Sequence, residues 1–321
     1  MRTKVVFIIQ FFTNFRILEV QKLKEIAILR AAGLIKTSCD FVALAAFIRS
    51  LNALWIVFPR AKTAKLVKSL LDLFEENSNE SALIIEIELC KELLQWSEAE
   101  KRAFLKQALE TRLIALLHRT GQYSEALGLV EDVLRQLKRL DDKSALIEVH
   151  LLESKIYFAL KNIAKARAAL TAARTYSNSM YTLPVVQAAL DMQAGLLHAE
   201  ELDFKTAFSY FIECFDNYVN SQLDIRGIQA LKYILLCKIM LGQPEEVETI
   251  LNGKIGQHYP FNRNFEAMQA VSHSCIKKSL KSFEMVLQTY PAGKFCFLFH
   301  FFIFRRTWRR RCCSVTSCRL V

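Results

Sequence analysis

Glycine and proline are scarce, with 9 and 5 of them in a chain of 321 residues. Average chains hold about 12% of the two together. A sandwich or barrel of short strands needs a turn every ten residues or so, and a dinucleotide-binding fold needs a Gly-rich phosphate loop. This chain supplies neither. No apolar run reaches the roughly 18 residues of a membrane-spanning helix. Catalytic and ligand-binding signatures are missing too: there is no H-E-x-x-H, no G-x-S-x-G, no G-x-x-x-x-G-K-[ST] and no C-x-x-C. With 52% hydrophobic residues, disorder is excluded for most of the length. The length fits two domains or one elongated array.

The net charge of +11 is confined to the ends. Residues 1–24 carry Arg2, Lys4, Arg16, Lys22 and Lys24 against Glu19, a net +4, and residues 294–321 carry a net +7 with no acid. Residues 25–293 are therefore neutral, which is not the electrostatic footprint of a nucleic-acid-binding body. Cysteines stand at 39, 90, 214, 237, 275, 296, 312, 313 and 318. Those in the body sit singly inside apolar runs and read as buried free thiols of a reducing compartment rather than a disulfide framework.

From about residue 25 to 290 the apolar pattern has helical spacing. Leu105, Leu109, Leu113, Leu116 and Leu117 form one stripe. Ala126, Leu129, Val130, Val133, Leu134, Leu137 and Leu140 form a second, and Leu146, Val149, Leu152 and Ile156 a third. The breaks carry end chemistry. Gly121 can close a helix in the left-handed region. Asp141-Asp142 can cap the free amides of the next one, and in Gly242–Glu246 a Pro at the first helical position, Pro244, is followed by acids.

The helices repeat. Gly121–Ala126 aligns with Lys161–Ala166 at an offset of 40, Glu201–Ala207 follows at 41, and Leu241–Val247 at 40 again. Ala126, Ala166 and Ala207 allow the second helix of each hairpin to approach the first, which itself carries Ala115, Ser154 or Gly195. This is tetratricopeptide-like logic with a longer period. Such hairpins cannot bury their faces alone and stack into an α-α superhelix. The aromatic stripe Phe204, Phe208, Phe211, Phe215 and Tyr218 is expected to be core packing, with a peptide groove as the second reading.

No catalytic, cofactor-binding or metal-ligating residue is assigned. His118, His150, His198, His258, His273 and His300 lie far apart, and His118 is expected to serve the end of its helix dipole. Gly253–Gly256 is too short for a phosphate loop. Cys312, Cys313 and Cys318 with His300 match no zinc spacing. Asn79-Glu80-Ser81 is a sequon with meaning only in a secreted chain. Val5–Phe12 stands behind a basic start, but Gln10 interrupts it and no cleavage site follows, so residues 1–24 read as a first helix or an atypical leader. The run Arg305–Arg311 around Trp308 could touch nucleic acid or anionic lipid, a weak signal without a basic fold around it.

Several segments are familiar as a set: Ala61–Phe74, Ser97–Leu113, Leu152–Tyr157 with Lys165–Arg174, Leu190–His198 and Leu231–Leu241. In order and spacing the chain resembles the lid subunits of the 26S proteasome that belong to the proteasome–signalosome–initiation-factor (PCI) class. The resemblance runs clearly from about 61 to 290. It implies an all-α, right-handed superhelix over 25–275, the start of a PCI module at 276–290, and a non-catalytic scaffold role clamping lid and ATPase ring onto the core particle during degradation of ubiquitinated proteins. It implies other lid subunits, the ATPase ring and the core particle as partners, no cofactor, no nucleic acid, membrane or small-molecule substrate, and residence in cytoplasm and nucleus. A signalosome-like adaptor, or a nucleic-acid- or membrane-associated protein using the basic tail, are the other readings. Lys278–Tyr290 looks like the beginning of the PCI region, but the winged helix and final helix of that class do not follow. A Phe/Arg-rich tail, 291–321, takes their place, with Phe295, Phe297, Phe299, Phe301, Phe302 and Phe304 within ten residues. Without a winged helix, Phe283, Val286 and Leu287 are expected to face water. Both ends are expected to come from a variant transcript or an imperfect gene prediction.

Overall fold

A computed structural model describes residues 18–38, 40–51, 55, 58–74, 80–253, 263–277 and 280–289, and among these every regular element is a helix. In chain order they are α1 (Leu18–Thr37), α2 (Phe41–Ser50), α3 (Arg60–Asp72), α4 (Glu80–Ala99), α5 (Ala103–Thr120), α6 (Tyr123–Leu140), α7 (Lys143–Ala159), α8 (Ile163–Asn178), α9 (Pro184–Glu200), α10 (Phe204–Asn220), α11 (Asp224–Leu241), α12 (Glu246–Asn252), α13 (Arg263–Ile276) and α14 (Leu280–Thr289). They group into two compact units that meet in sequence between Asp141 and Asp142. Helix α1 runs through the expected boundary at residue 24 without a break.

The links explain why hairpins form so regularly. Gly121 takes left-handed backbone, φ 79°, as the sequence predicted, and Gly242 does the same at 82°. Five residues that are not glycine do the same: Lys101, Asp141, Lys161, Leu202 and Gln222. That conformation costs an L-residue roughly 1–2 kcal/mol. In six of these links the next N–H bonds back five residues, as in Arg102 to Ser97 O at 2.9 Å, Asn162 to Tyr157 O at 2.9 Å and Asp203 to His198 O at 3.0 Å. The helix end thus satisfies its last carbonyls. In five of the six the residue that makes the backward bond then stands as N-cap of the following helix, with the Asn162 side chain accepting from Lys165 N and Asp203 from Thr206 N. At the remaining link Asp141 is the left-handed residue and Asp142 the cap, accepting from Ala145 N. Outside the longer link that starts at Gly242, one turning residue and one capping residue are the whole connection.

In unit 1, α1 packs on α2 and α3, α2 on α4, α4 on α5 and α5 on α6. The core holds Trp55, Phe74, Leu70, Leu109, Ile114 and Leu117, all under 2% exposed. The predicted stripe of α6 buries Ala126, Val130, Val133, Leu134 and Leu137, whereas Leu140 is 59% exposed because it sits at the turn. Each buried Val or Leu contributes on the order of 1.5–3 kcal/mol. Such burial outweighs the exposed Arg49–Glu92 and Lys91–Glu125 ion pairs between neighbouring helices.

In unit 2, α7 to α11 pack consecutively, and α11 meets α12 and α13. The small residues lie where the alignment put them. Ala166 and Ala207 are fully buried, and the buried Ser154 Oγ donates to Ala166 O at 2.8 Å, joining α7 to α8. A Cβ on Gly195 would stand 2.5 Å from the Phe211 ring. That ring has no freedom to give way, being fully buried and stacked on Tyr233 at 5.1 Å. The fourth hairpin departs from the pattern. Its second helix, α12, has only seven residues, and it begins at Glu246, so Pro244 precedes the helix rather than occupying its first position. Val247 takes the small-residue place and is buried. Val286 of α14 does not face water as expected, since it packs half-buried against the core of α9–α13, while Met285 beside it is 62% exposed. The side chains of Phe283 and Leu287 lie outside the described residues.

Candidate partner-binding surface

The groups that sequence singled out for chemistry are engaged in structure. Cys90, Cys214 and Cys237 are buried, and burial pushes each thiol up to about 12, so none is a nucleophile at neutral pH. Cys275 is only half-buried, short of the full burial expected. His150 is buried, shares 2.9 Å with Glu153 through Nδ1 and stacks on Tyr176. His198 stacks on Tyr210 and His273 reaches Glu248 at 3.2 Å. His118 lies in the last turn of α5 against Tyr123, the place the helix-dipole reading gives it. Among the described residues no three His, Cys, Asp or Glu side chains group as a metal would require. His258, His300, Cys39, Cys312, Cys313, Cys318, Lys254–Gly256, Asn79 and Arg305–Arg311 lie outside the described residues.

The aromatic stripe is core. Phe204, Phe211, Phe215 and Tyr218 are buried between α10 and α11, and Phe208 lies under the Lys238 ammonium at 4.4 Å. A row of half-buried residues lies elsewhere, on the first helices of the unit 2 hairpins. Along α9, Val185, Ala189, Met192 and Leu196 are all half-buried at three- and four-residue spacing, with Ala189 packed against the core of α7–α9 and Met192 and Leu196 against that of α9–α13. Ser154 and Gly195 are equivalent positions one repeat apart, so Lys155 of α7 stands where α9 has Leu196. Leu152 and Lys155 are half-buried, and Arg226 and Gln229 of α11 are exposed. Sequence reading missed this face because its residues look like ordinary helix-surface choices; the spacing along α9 was the available signal.

Two arginine clusters hold the helices behind such faces. In unit 1 the Arg112 guanidinium meets Glu86 Oε1 at 2.8 Å, Asp72 Oδ1 at 2.7 Å and the Leu71 carbonyl at 2.6 Å, tying α5 to α4 and to the C-terminal end of α3. Burial lowers its pKa, but Glu86 and Asp72 more than offset that and leave it raised. In unit 2 Arg174 donates to Asp191 Oδ1 and to the Tyr210 hydroxyl, both at 3.1 Å, joining α8, α9 and α10. Here desolvation wins and holds the Asp191 carboxyl above its ordinary value despite Arg174 and Gln187.

Stacked helical hairpins joined by short left-handed links, with thiols and imidazoles engaged in packing, define an α-helical repeat protein. Its relatives give it a narrower place. Residues 14–120 match the family described as the 26S proteasome regulatory subunit RPN6 N-terminal domain. The chain is 44% identical over 247 residues to the probable 26S proteasome regulatory subunit rpn6 of Schizosaccharomyces pombe, covering 77% of this chain and 58% of that protein. It is 45% identical over 242 residues to the 26S proteasome non-ATPase regulatory subunit 11 homolog of Arabidopsis thaliana, covering 75% and 57%. It is 43% identical over 268 residues to the 26S proteasome non-ATPase regulatory subunit 11 of Dictyostelium discoideum, covering 84% and 64%. The chain is a relative of these proteasome regulatory subunits, and it spans about three fifths of the length of the curated relatives it matches. The crystal structure of NprR in complex with its cognate peptide NprX aligns over 88% of this chain and 78% of that one with a TM-score of 0.52 at 13% identity, a likeness of fold alone.

Proposed function

We propose that the chain is a non-catalytic scaffold of the 26S proteasome regulatory-particle lid, supporting its assembly and the ATP-dependent degradation of ubiquitinated proteins. The observation that carries this reading is the 44% identity over 247 residues to a proteasome regulatory subunit. The physical picture is compatible with it. Hairpins joined by single turning residues present helix faces in series, and a series of faces suits the holding of several neighbours at once. The partners under this reading are other lid subunits, the ATPase ring and the core particle, with residence in cytoplasm and nucleus, no cofactor, and neither nucleic acid, membrane nor small molecule as ligand. Residues 276–290 are the start of a PCI module in the same reading. No described helix is long and apolar enough to cross a membrane.

The test is affinity capture from cell lysate with tagged full chain and with residues 25–293. Lid and ATPase subunits should accompany both. Signalosome subunits in their place would move the chain to a related complex. Capture by the full chain alone of nucleic acid or anionic lipid, lost at high salt, would assign its activity to the basic tail.

A further inference from the structure

The two ends of the unit 2 hairpins differ in chemistry. At the end with the links 160–162 and 201–203 the surface is charged: Lys161 meets Glu200 at 3.0 Å, Arg167 pairs with Glu201, and His198 lies 3.8 Å from Asp203. Each link reverses the chain, so the links 179–183 and 221–223 share the opposite end. There the charge disappears. Residues 175–190 hold no Asp, Glu, Lys or Arg, the longest uncharged stretch of a chain in which 23% of residues are charged. Within it Tyr181 is 84% exposed and Leu183 63%, with Met180 exposed beside them. Ile225, at the start of α11 on the same end, is 78% exposed. Surfaces that partners bury are depleted of charge at their centre and enriched in Tyr and Met.

The loop is tied down from inside. The Ser177 hydroxyl, 4% exposed, donates to Gln187 Oε1 at 3.3 Å and meets Thr182 Oγ1 at 3.2 Å. The Leu183 carbonyl accepts from Val186 N at 2.9 Å and Gln187 N at 3.1 Å. Pro184 begins α9 and confines the residue before it to extended backbone, which Leu183 has at φ −64° and ψ 142°. Thr182 thus turns inward between two outward neighbours, and little backbone freedom remains to be lost on docking. Tyr181, Leu183, Ile225 and Met180 together offer on the order of 400 Å², about half the roughly 800 Å² per partner of a stable symmetric dimer. The area is too small for one copy to hold another face to face. It suits a convex projection that a concave partner surrounds.

We propose that the 179–183 loop is a docking projection: Tyr181 and Leu183, with Ile225 beside them, enter an uncharged apolar cleft on a neighbouring subunit of the assembly. The absence of charge along 175–190 commits the partner's cleft to apolar side chains, since an ionised group buried against this loop would find no counter-ion. Tyr181 is the anchor, a large ring of few rotatable bonds whose hydroxyl reaches the polar margin of the cleft. The exposed Arg226 belongs to the rim. The proposal deepens the scaffold reading and rests on it for the kind of neighbour.

The experiment is photocrosslinking of the tagged full chain in cells, with a benzoyl-phenylalanine in place of Tyr181, of Ile225 or, on the exposed face of α8, of Thr171. Positions 181 and 225 should both crosslink to one and the same proteasome subunit, at a peptide of apolar residues without charge, and position 171 should not. A crosslinked peptide rich in acids or bases, a crosslink to a second copy of the chain, or none at 181 would each overturn the proposal. Capture without irradiation separates the two readings. Proteasome subunits that accompany the chain while 181 crosslinks to nothing leave the scaffold reading standing and sink the projection; capture of no proteasome subunit sinks both. With the crosslinked subunit then purified, Tyr181→Ser should weaken its binding about tenfold, and Lys205→Ser at the charged end should not change it. Both variants should melt with the unaltered chain. Equal binding by Tyr181→Ser, its melting several degrees lower, or Tyr181-dependent sedimentation with phosphatidylcholine vesicles would count against the projection.

Discussion

Arg112 and Arg174 perform the same task in the two units, and they perform it with different strength. Arg112 is met on three sides by oxygen, and Glu86 beneath it is 1% exposed, so that carboxylate is dehydrated and charge-paired. Arg174 spends one bond on a neutral phenol, lays its guanidinium over the Tyr210 ring at 4.6 Å and leaves Nε buried without a partner. Its carboxylate is accordingly held toward the neutral form. The comparison teaches that a repeat fold does not need an ion pair of fixed quality at each junction. Unit 2 can tolerate a weaker one because buried contacts such as Ser154 with Ala166 and Phe211 with Tyr233 also join its hairpins.

The largest effect that could break this contrast is Arg112→Met. It takes from the buried Glu86 carboxylate its arginine partner and should destabilise unit 1 by about 3–5 kcal/mol. Urea unfolding followed by tryptophan fluorescence in a Trp308→Phe background reads unit 1 selectively, because Trp55 and Trp96 both lie there, 6.5 Å apart. A loss below about 1 kcal/mol would mean that the cluster is no stronger than a surface pair.

Next comes Gly195→Ala. The added methyl meets a ring that is stacked and buried, and the expected loss is about 1–3 kcal/mol by far-UV dichroism. Phe211→Leu in the same chain should recover part of it; if the double variant is as unstable as the sum of the two single ones, the close approach is not the cause.

A pH experiment sharpens the comparison further. The folded-state pKa of Asp191 lies above its unfolded value, so the native chain takes up this proton first. The Asp191 contribution therefore improves as pH falls through that raised value toward the ordinary carboxylate range, opposite in sign to a carboxylate stabilised by a salt bridge. Arg174→Met should accordingly cost more at pH 7 than at mildly acidic pH, and Asp191→Asn should remove the difference. A loss independent of pH would show that Asp191 stays charged in the fold.

The smallest effect concerns the links. Leu202→Gly relieves left-handed strain of roughly 1–2 kcal/mol while giving the unfolded chain more freedom, roughly 0.5–1 kcal/mol. The net should be a gain of a few tenths to about 1 kcal/mol in the free energy of unfolding, read from urea denaturation. A loss would mean that the exposed Leu202 side chain packs more than its 46% exposure indicates.

Much of the fold was legible because its signals are local. Gly121, Asp142 and Gly242 announce helix ends by their own chemistry, and the repeat from Ala126 to Ala166 to Ala207 announces the close approach of paired helices. Lys101, Lys161, Leu202 and Gln222 announce nothing: their backbone is set by the bond that the next residue sends back along the helix, which no side-chain preference records. Gly195 was legible as small but not as the seat of Phe211. The clusters around Arg112 and Arg174 were not legible at all, because each joins helices whose sequence separation carries no hint of which turns face each other. Val286 was misjudged for the same reason, since its cover comes from the core of α9–α13.

The one-residue turns have a bearing on how such chains can change length. A link made of a single left-handed residue and a cap has no slack, so an amino acid inserted at 101–102, 161–162 or 202–203 cannot be taken up as a longer loop. It would sever the backward bond and shift the next helix off its neighbour. Insertions and deletions in kindred chains should instead gather in roomier segments such as 179–183, and the distance between successive turning residues should serve as a ruler for aligning them.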